Sequence, residues 1–263
     1  QQKILSIVPE RLGVHFQPQP ANDEHSRHLA VLYRDNPQSL LEPGEMAIPV
    51  GSLFAIDQHG HPLLKQWVRL SKGADDAQAM QAFFKDYASI AVPALLGMYL
   101  RYGVAFEAHQ QNSFMVMGTN GQANRLLLRD FGDIRIDRKT LHAHGLDIEL
   151  HDPKMTLYDD AGFVRDKLLH TVFMCHLGEL VLLSARHFDI PEGLLWDELS
   201  AQVRECFDDL RSQVEPQRWQ TERAALLEQD WPAKSFMRMR LMESHADIVG
   251  RLPNPLSTAA NVG

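Results

Sequence analysis

The sequence predicts an α+β protein that is rich in helices and carries its active site on a small antiparallel sheet, or hairpin. Three observations support this fold class: a long apolar pattern at helical spacing over residues 75–101, a hairpin signal within 104–137, and further helical patterns from about residue 158 onward. The hairpin zone thus connects two helical zones.

Composition fits a soluble protein with a full core. Of the 263 residues, 44% are hydrophobic and 23% are charged, which are ordinary values for a globular chain. The formal net charge of −8 argues against a nucleic-acid-binding surface. No apolar run is expected to reach membrane-spanning length and no signal peptide is visible, so we expect a cytoplasmic protein that binds no membrane. Cys175 and Cys206 are expected to be buried free thiols.

The first predicted region, residues 1–75, holds mixed short elements that lead into the catalytic lobe. A strand is predicted at 27–33 (RHLAVLY), an extended segment at 46–53 and a turn at 57–62.

A long helix is predicted at 75–101. Its apolar residues recur at helical spacing: Met80, Phe83, Phe84, Tyr87, Ile90, Leu95, Met98 and Tyr99. Pro93 should kink this helix, and Tyr102-Gly103 should end it.

The hairpin zone follows. A short strand at 104–107 precedes two apolar runs, 113–117 (SFMVM) and 125–129 (RLLLR), which are separated by Asn120-Gly121. Asn-Gly is a strong hairpin signal because both residues tolerate positive φ.

The rest of the second predicted region, residues 76–263, is expected to be helical. Helices are predicted at 160–187, 194–213, 221–228 and 233–250, with Pro191-Glu192-Gly193 between the first two.

A polar cluster stands beside the apolar run Val104-Ala105-Phe106. It consists of Glu107, His109, Gln111 and Asn112, and Asp130 follows the hairpin. Placing such a cluster next to a strand is costly unless each polar group has a partner. The candidate partners are a divalent cation, a polyphosphate and a carboxylate substrate. Antiparallel pairing would bring Asp130 close to Gln111 and Asn112.

The spacing is similar to that of a kinase metal site. Glu107 precedes Asn112 by five residues, and Asp130-Phe131-Gly132 follows a hairpin later. An amide oxygen and a carboxylate on adjacent strands suit Mg²⁺ on ATP. However, the chain has Phe-Glu-Ala where kinases have His-Arg-Asp, and neither a Gly-rich loop nor a Val-Ala-Ile-Lys strand lies upstream.

A second resemblance covers nearly the whole chain. The segments 102–112 (YGVAFEAHQQN) and 126–132 (LLLRDFG), followed by 231–241 (WPAKSFMRMRL) and 254–256 (NPL), resemble the IucA/IucC family. These are the NRPS-independent siderophore (NIS) synthetases, including the alcaligin and aerobactin types. The pieces 10–14 (ERLGV) and 32–37 (LYRDNP) fit the region before the cluster.

The resemblance implies an ATP-dependent ligase on a palm-like catalytic domain. ATP would activate citrate, succinate or a derivative as an acyl-adenylate, and an amine or hydroxylamine of a polyamine-type substrate would attack it, with release of AMP. A hydroxamate product is favoured.

The resemblance also implies residue roles. Gln111, Asn112 and Asp130 would bind ATP, and Glu107, Asn112 and Asp130 would bind Mg²⁺. His109 and Glu107 would be catalytic, with His109 also contacting the substrate. Arg165 and Lys234 would bind the substrate carboxylate.

The family's N-terminal half, with the motifs that bind the ATP phosphates, is not found in this sequence. The chain starts at Gln1, and we expect it to be the C-terminal part of a larger synthetase whose N-terminal half supplies the missing motifs. We expect that synthetase to be a dimer. Two alternatives stay open: a kinase-like phosphotransferase with an Asn112/Asp130 magnesium site, and a non-catalytic assembly domain.

Overall fold

The computed structural model describes residues 3–150, 152–243 and 248–257. Its helices are α1 (Asp23–His28), α2 (Leu64–Lys72), α3 (Ala77–Tyr102), α4 (Arg138–Ala143), α5 (Ala161–Leu168), α6 (Glu179–Phe188), α7 (Glu192–Leu210), α8 (Pro216–Leu227) and α9 (Phe236–Leu241). A π-helix (Leu169–Gly178) joins α5 to α6, and 3₁₀ segments lie at Pro37–Leu40, Val50–Phe54 and Pro153–Met155.

The strands are β1 (Leu5–Ile7), β2 (Glu10–His15), β3 (Ala30–Arg34), β4 (Met46–Pro49), β5 (Val104–Ala105), β6 (Ser113–Met117), β7 (Ala123–Leu128), β8 (Arg135–Asp137), β9 (Leu157–Tyr158), β10 (Trp231–Lys234) and β11 (Val249–Leu252). Helices around several small sheets confirm the predicted α+β class.

The predicted long helix is α3, which lies at the centre of the core. Asp76 caps its first turn by accepting a hydrogen bond from the Ala79 amide at 2.8 Å. Gly103 ends it with a φ of 73°, where a side chain would also meet Asp137 Cβ at 2.9 Å. Pro93 lies inside the helix, and the kink there stays a prediction. α3 packs against α2, α7 and β7.

The main sheet has the order β1-β7-β6-β4. β6 and β7 form the predicted antiparallel hairpin, with Ser113 opposite Leu128. β4 also pairs antiparallel with β6, but β1 pairs in parallel with β7, so the sheet is mixed. Both faces of the hairpin are buried: Met115 and Leu126 join the main core, and Phe114 and Leu127 join a smaller cluster.

A three-stranded sheet, β5-β8-β9, lies beside α5. Val104 pairs with Ile136, and Ile136 pairs in turn with Leu157. This sheet places β8 next to the strand that leads into the polar cluster.

Two predicted elements near the start are corrected. Residues 27 and 28 belong to α1, and the strand begins only at Ala30, because Asn22 accepts a hydrogen bond from the His25 amide and starts a helix. The segment 46–53 is extended only through Pro49, after which a 3₁₀ turn follows.

The prediction of a helix at 233–250 is wrong. Residues 233–234 and 249–250 pair as antiparallel strands β10 and β11, and only α9 between them is helical; residues 244–247 lie outside the described part. Trp231 is 2% exposed and anchors β10 in the core, whereas Met237 and Leu241 are 74% and 78% exposed. The apolar residues of this segment therefore have no core surface against which a long helix could pack.

Among the helices predicted elsewhere, α8 starts five residues earlier than expected, at Pro216 rather than at residue 221. Glu215 caps it by accepting hydrogen bonds from the amides of Gln217 and Arg218, and proline is favoured at the first helical position.

One helical stretch in the described ranges, Ala161–Phe188, is long and apolar enough to cross a membrane, with a mean hydropathy of 1.6. This corrects the expectation that no run reaches that length. Because 61% of its most apolar window is buried inside the protein, it has the character of a core helix and is weak evidence for a membrane span.

Candidate active site

The polar cluster lies on the loop that joins β5 to β6. Three backbone hydrogen bonds fix the loop: the Asn112 amide donates to His109 O at 3.1 Å, the Gly51 amide donates to Gln110 O at 3.0 Å, and the Arg129 amide donates to Asn112 O at 3.0 Å. The last of these places the end of β7 beside Asn112. The loop is thus tied both to the 3₁₀ segment before α2 and to the hairpin.

Asn112 is 5% exposed and spans the base of the loop. Its Nδ2 donates to Glu107 O at 3.2 Å, so the residue closes the loop between the first and last members of the cluster. This bond uses one of the two N–H donors of the side-chain amide, and the amide oxygen is the atom that could coordinate a metal ion.

Glu107 contacts a lysine that the sequence did not single out. Lys167 Nζ donates to Glu107 Oε1 at 3.2 Å and also pairs with Asp133. Lys167 is 6% exposed, and a buried ammonium group needs such partners to offset its lost hydration. A lysine within the apolar face of a predicted helix is the sequence signal that could have identified it.

Asp130 directly follows β7, as predicted, and has a positive φ of 67°. That backbone conformation is uncommon for a residue other than glycine and occurs often at functional sites. The Asp130 carboxylate pairs with Arg34 Nη2 at 2.9 Å. β3, which carries Arg34, thus reaches the candidate site from the first predicted region.

His109 and Gln111 lie on an open cleft of about 450 Å³ together with Cys175 and Glu179. Glu107, by contrast, turns toward Lys167. The polar cluster is therefore divided between two sides of the loop.

A second cleft of about 250 Å³ lies on the Lys167 side. Its lining includes Arg135, Lys167, Lys234, His170 and Asp166. The lining residues carry three permanent cations and one carboxylate. Two further carboxylates, Glu107 and Asp133, pair with Lys167, so an anionic ligand would bind Arg135 and Lys234 and compete for Lys167. Burial raises the pKa of the Asp166 carboxyl above its ordinary value.

Arg135, another cation of this cleft, is also buried, at 8% exposure. Its guanidinium lies 3.6 Å from the centroid of the Phe163 ring and donates to Phe163 O at 2.9 Å. Its Nε is buried, and no hydrogen-bond partner for it occurs in the described part of the chain. An unsatisfied buried donor in a cationic cleft favours a bound anion. Sequence reasoning did not identify Arg135.

Arg165 lies apart from this cleft. It pairs with Glu222 at 3.3 Å, and Glu222 is 2% exposed and accepts a hydrogen bond from the Tyr99 hydroxyl at 2.8 Å. Arg165 lines a neighbouring cleft with Asp160 and Arg251. The structure brings Lys234 and Lys167 together but separates Arg165 from both, and its predicted substrate contact stays a prediction.

The magnesium ligand set of Glu107, Asn112 and Asp130 stays a prediction. No group of three or more His, Cys, Asp or Glu residues within 3–150, 152–243 and 248–257 is arranged to hold a metal. Glu107 and Asp130 each contact a cation of the protein. Mg²⁺ that arrives with a nucleotide needs only one or two carboxylates besides phosphate oxygens, so these residues could contribute part of a ligand set.

Comparisons with known proteins agree on one family. A family model described as "Ferric iron reductase FhuF-like transporter" matches residues 81–248. The uncharacterized protein y4xN of Sinorhizobium fredii is 36% identical over 264 residues, which cover 97% of this chain and 42% of that protein. The 2-[(L-alanin-3-ylcarbamoyl)methyl]-3-(2-aminoethylcarbamoyl)-2-hydroxypropanoate synthase of Staphylococcus aureus is 27% identical over 198 residues, 70% of this chain and 31% of the synthase.

Solved structures share the fold. The petrobactin biosynthesis protein AsbB of Bacillus anthracis matches with a TM-score of 0.77 at 18% identity, covering 96% of this chain and 42% of AsbB. ATP-bound aerobactin synthetase IucA of Klebsiella pneumoniae matches with a TM-score of 0.75 at 18% identity, covering 97% of this chain and 44% of IucA. The chain spans less than half the length of each of these proteins.

Proposed function

Because this chain belongs to the FhuF-like family, in the form shared with NRPS-independent siderophore synthetases, we propose that it is the catalytic domain of an ATP-dependent carboxylate–amine ligase. The ligase would activate a carboxylic acid as its acyl-adenylate and join it to an amine or hydroxylamine. The activity would belong to a longer protein that contains this chain.

One observation carries the proposal. Lys167 contacts the polar loop, where its ammonium group donates to Glu107. It also lines the cationic cleft together with Arg135 and Lys234. A loop suited to nucleotide and a cleft suited to carboxylate thus meet at one ammonium group. Adenylation requires that the acid's oxygen and the α-phosphate of ATP meet in this way, and a cation between them favours the developing negative charge.

On the nucleotide side, Gln111, Asn112 and Asp130 are the proposed ATP contacts. Mg²⁺ would bind with the nucleotide, with Glu107, Asp130 and the Asn112 oxygen as protein ligands, and would neutralise phosphate charge. To bind Mg²⁺, Glu107 would have to give up part of its ion pair with Lys167, and Asp130 part of its ion pair with Arg34. The released Lys167 would then be available to an anionic substrate.

On the acid side, Arg135, Lys167 and Lys234 are the proposed carboxylate contacts. A di- or tricarboxylate such as citrate or succinate would place one carboxylate on this group of cations while another reacts. His109, on the opposite side of the loop, is the proposed contact for the reacting group, and Glu107 would hold Lys167 in place until the nucleotide and Mg²⁺ bind.

The proposed reaction has two steps. A carboxylate oxygen of the acid attacks the α-phosphorus of ATP, and the bond to pyrophosphate breaks as the acyl-adenylate forms. The nitrogen of the amine or hydroxylamine then attacks the acyl carbon and loses a proton, and AMP leaves. The product is an amide or hydroxamate.

The remaining features of the synthetase are proposals as well. The rest of the longer protein would supply residues that hold the ATP phosphates, and the synthetase would act as a dimer in the cytoplasm. Its products would be siderophores of the kind that the names of its relatives describe.

The description of the family model also mentions ferric iron reduction. The positions of the two cysteines favour a ligase over a reductase. Both are free, and Cys175 lies in the π-helix whereas Cys206 lies on α7. Burial raises the pKa of the Cys206 thiol to about 12, so the thiol is protonated near neutral pH when no metal ion is bound.

Nucleotide product analysis tests the proposal. The full-length protein would be incubated with Mg-ATP, a panel of di- and tricarboxylates, and hydroxylamine as acceptor. We expect AMP and an acyl hydroxamate with at least one acid. Release of ADP would favour the kinase-like phosphotransferase, and no turnover with any acid would favour the assembly domain; either result would contradict the proposal.

A further inference from the structure

Three side chains of one helical stretch bind three successive residues of the loop. Thr171 Oγ1 lies 3.0 Å from Phe106 O and 2.9 Å from Lys167 O, so these two carbonyls share its one hydroxyl proton. Lys167 Nζ lies 3.2 Å from Glu107 Oε1. His176 Nδ1 lies 2.7 Å from Ala108 O. The two backbone carbonyls on either side of Glu107 and the Glu107 carboxylate are thus all held by the segment from α5 into the π-helix.

The spacing of these residues depends on the π-helix. Lys167 and Thr171 are four residues apart, which in an α-helix places them about 40° from alignment. Thr171 and His176 are five residues apart, which in an α-helix would separate them by about 140°. Hydrogen bonding from i to i+5 in the π-helix stacks residue i+5 about one turn above residue i. The π-helix therefore brings His176 onto the face that Lys167 and Thr171 already share.

His176 is fully buried and has a second partner. The Tyr87 hydroxyl lies 2.6 Å from His176 Nε2. The Ala108 carbonyl can only accept a hydrogen bond, so Nδ1 carries the proton and Nε2 accepts one from Tyr87. Burial lowers the pKa of His176 to about 4, so the ring is a neutral donor with a fixed direction near neutral pH. α3, which carries Tyr87, thus supports the loop from behind the π-helix.

We propose that the π-helix aligns the catalytic loop, with His176 and Thr171 as positioning residues that hold the Ala108 and Phe106 carbonyls and so set the direction of Glu107. The proposal rests on the ligase function proposed above. Neither residue touches substrate in this account, since both act through the loop backbone. A displacement of about 1 Å at the loop can lower a rate about 100-fold.

Matched substitutions in the full-length protein test the alignment. His176→Asn keeps an amide donor near the position of Nδ1, whereas His176→Gln moves the donor outward to the position of Nε2. Thr171→Ser keeps the hydroxyl, whereas Thr171→Val keeps the shape without it. Ser184→Ala is the control, because Ser184 is buried on α6 and donates only within its helix, to Leu180 O.

We expect kcat to fall about 10- to 100-fold in His176→Gln and Thr171→Val, with the KM values for ATP and acid little changed, since the binding contacts remain. His176→Asn, Thr171→Ser and Ser184→Ala should keep most of the wild-type kcat. Equal losses in both members of each pair would overturn the proposal, and so would a rise in KM without a fall in kcat.

Amide hydrogen exchange over residues 104–112 gives a readout that does not depend on activity. We expect faster exchange in His176→Gln and Thr171→Val but not in their conservative partners or in Ser184→Ala. Unchanged exchange in all variants would overturn the alignment even if the ligase function holds. Conversely, selective loosening in a protein without ligase activity would support the alignment and contradict only the proposed function.

Discussion

Lys167 shows at the residue scale why part of the site could not be predicted. Residues 165 and 167 are two positions apart on a helix and point about 200° apart, so only one of them can face the loop. The sequence predicted Arg165 as a contact for the substrate carboxylate, since a guanidinium matches a carboxylate well. In the structure Lys167 faces Glu107, while Arg165 faces the buried Glu222. The choice between them depends on how α5 packs, which is a tertiary property.

Replacing Lys167 should impair acid activation in particular. We expect Lys167→Met to lower kcat/KM for the carboxylic acid about 100-fold or more, because the cation shared by loop and cleft is lost; this corresponds to about 2.7 kcal/mol. Steady-state kinetics with the acid varied at saturating ATP would measure it. Lys72→Met is the control, since Lys72 pairs with Asp86 on another surface. Equal kinetics for the two variants would remove Lys167 from the site.

Replacing Arg165 should mainly affect stability. In Arg165→Met, the carboxylate of Glu222 stays buried and keeps only Arg218 Nη1, at 3.9 Å, as a cationic partner. We expect a loss of about 3 kcal/mol in the free energy of unfolding. Chemical denaturation would measure it, and Glu222→Gln in the same chain should recover much of the loss. A normal stability together with a raised KM for the acid would instead support the predicted substrate contact.

At the scale of elements, the sequence predicted those helices and strands that depend on residues close together along the chain. The β6–β7 hairpin was predicted from Asn120-Gly121, and α3 from its helical spacing and the glycine at its end. The π-helix was not predicted, because its apolar pattern over 169–178 does not distinguish it from an α-helix. The β10–β11 pair was missed because its strands are separated by α9, and their pairing is a contact between distant residues.

Gly121 offers a test of the hairpin. Its φ is 74°, and a Cβ there would lie 2.9 Å from Leu70 O. We therefore expect Gly121→Ala to lower the free energy of unfolding by about 1–2 kcal/mol for the left-handed backbone, plus the cost of the close contact with α2. Gly193→Ala is the matched control, because nothing lies within 4 Å of that position in α7. Equal denaturation midpoints for the two variants would show that the hairpin tolerates a different turn.

At the scale of the whole molecule, the cationic cleft is assembled from remote parts of the chain. Arg135 comes from β8, Lys167 from α5 and Lys234 from β10. The sequence predicted the loop and Asp130 because those residues are close along the chain or joined by one hairpin. It could not place these three cations together, since no local pattern relates them. The division of the chain at residue 75 stays a prediction, although Val50 and Leu53 share the main core with α3.

Exchange of radiolabelled pyrophosphate into ATP tests the central claim most directly. The full-length protein would be given Mg-ATP, labelled pyrophosphate and one carboxylic acid, with no amine present. If the acid is adenylated reversibly at the meeting point of loop and cleft, label should enter ATP only when the acid is added, and Lys167→Met should abolish this exchange. Acid-dependent release of ADP without any exchange would contradict the account.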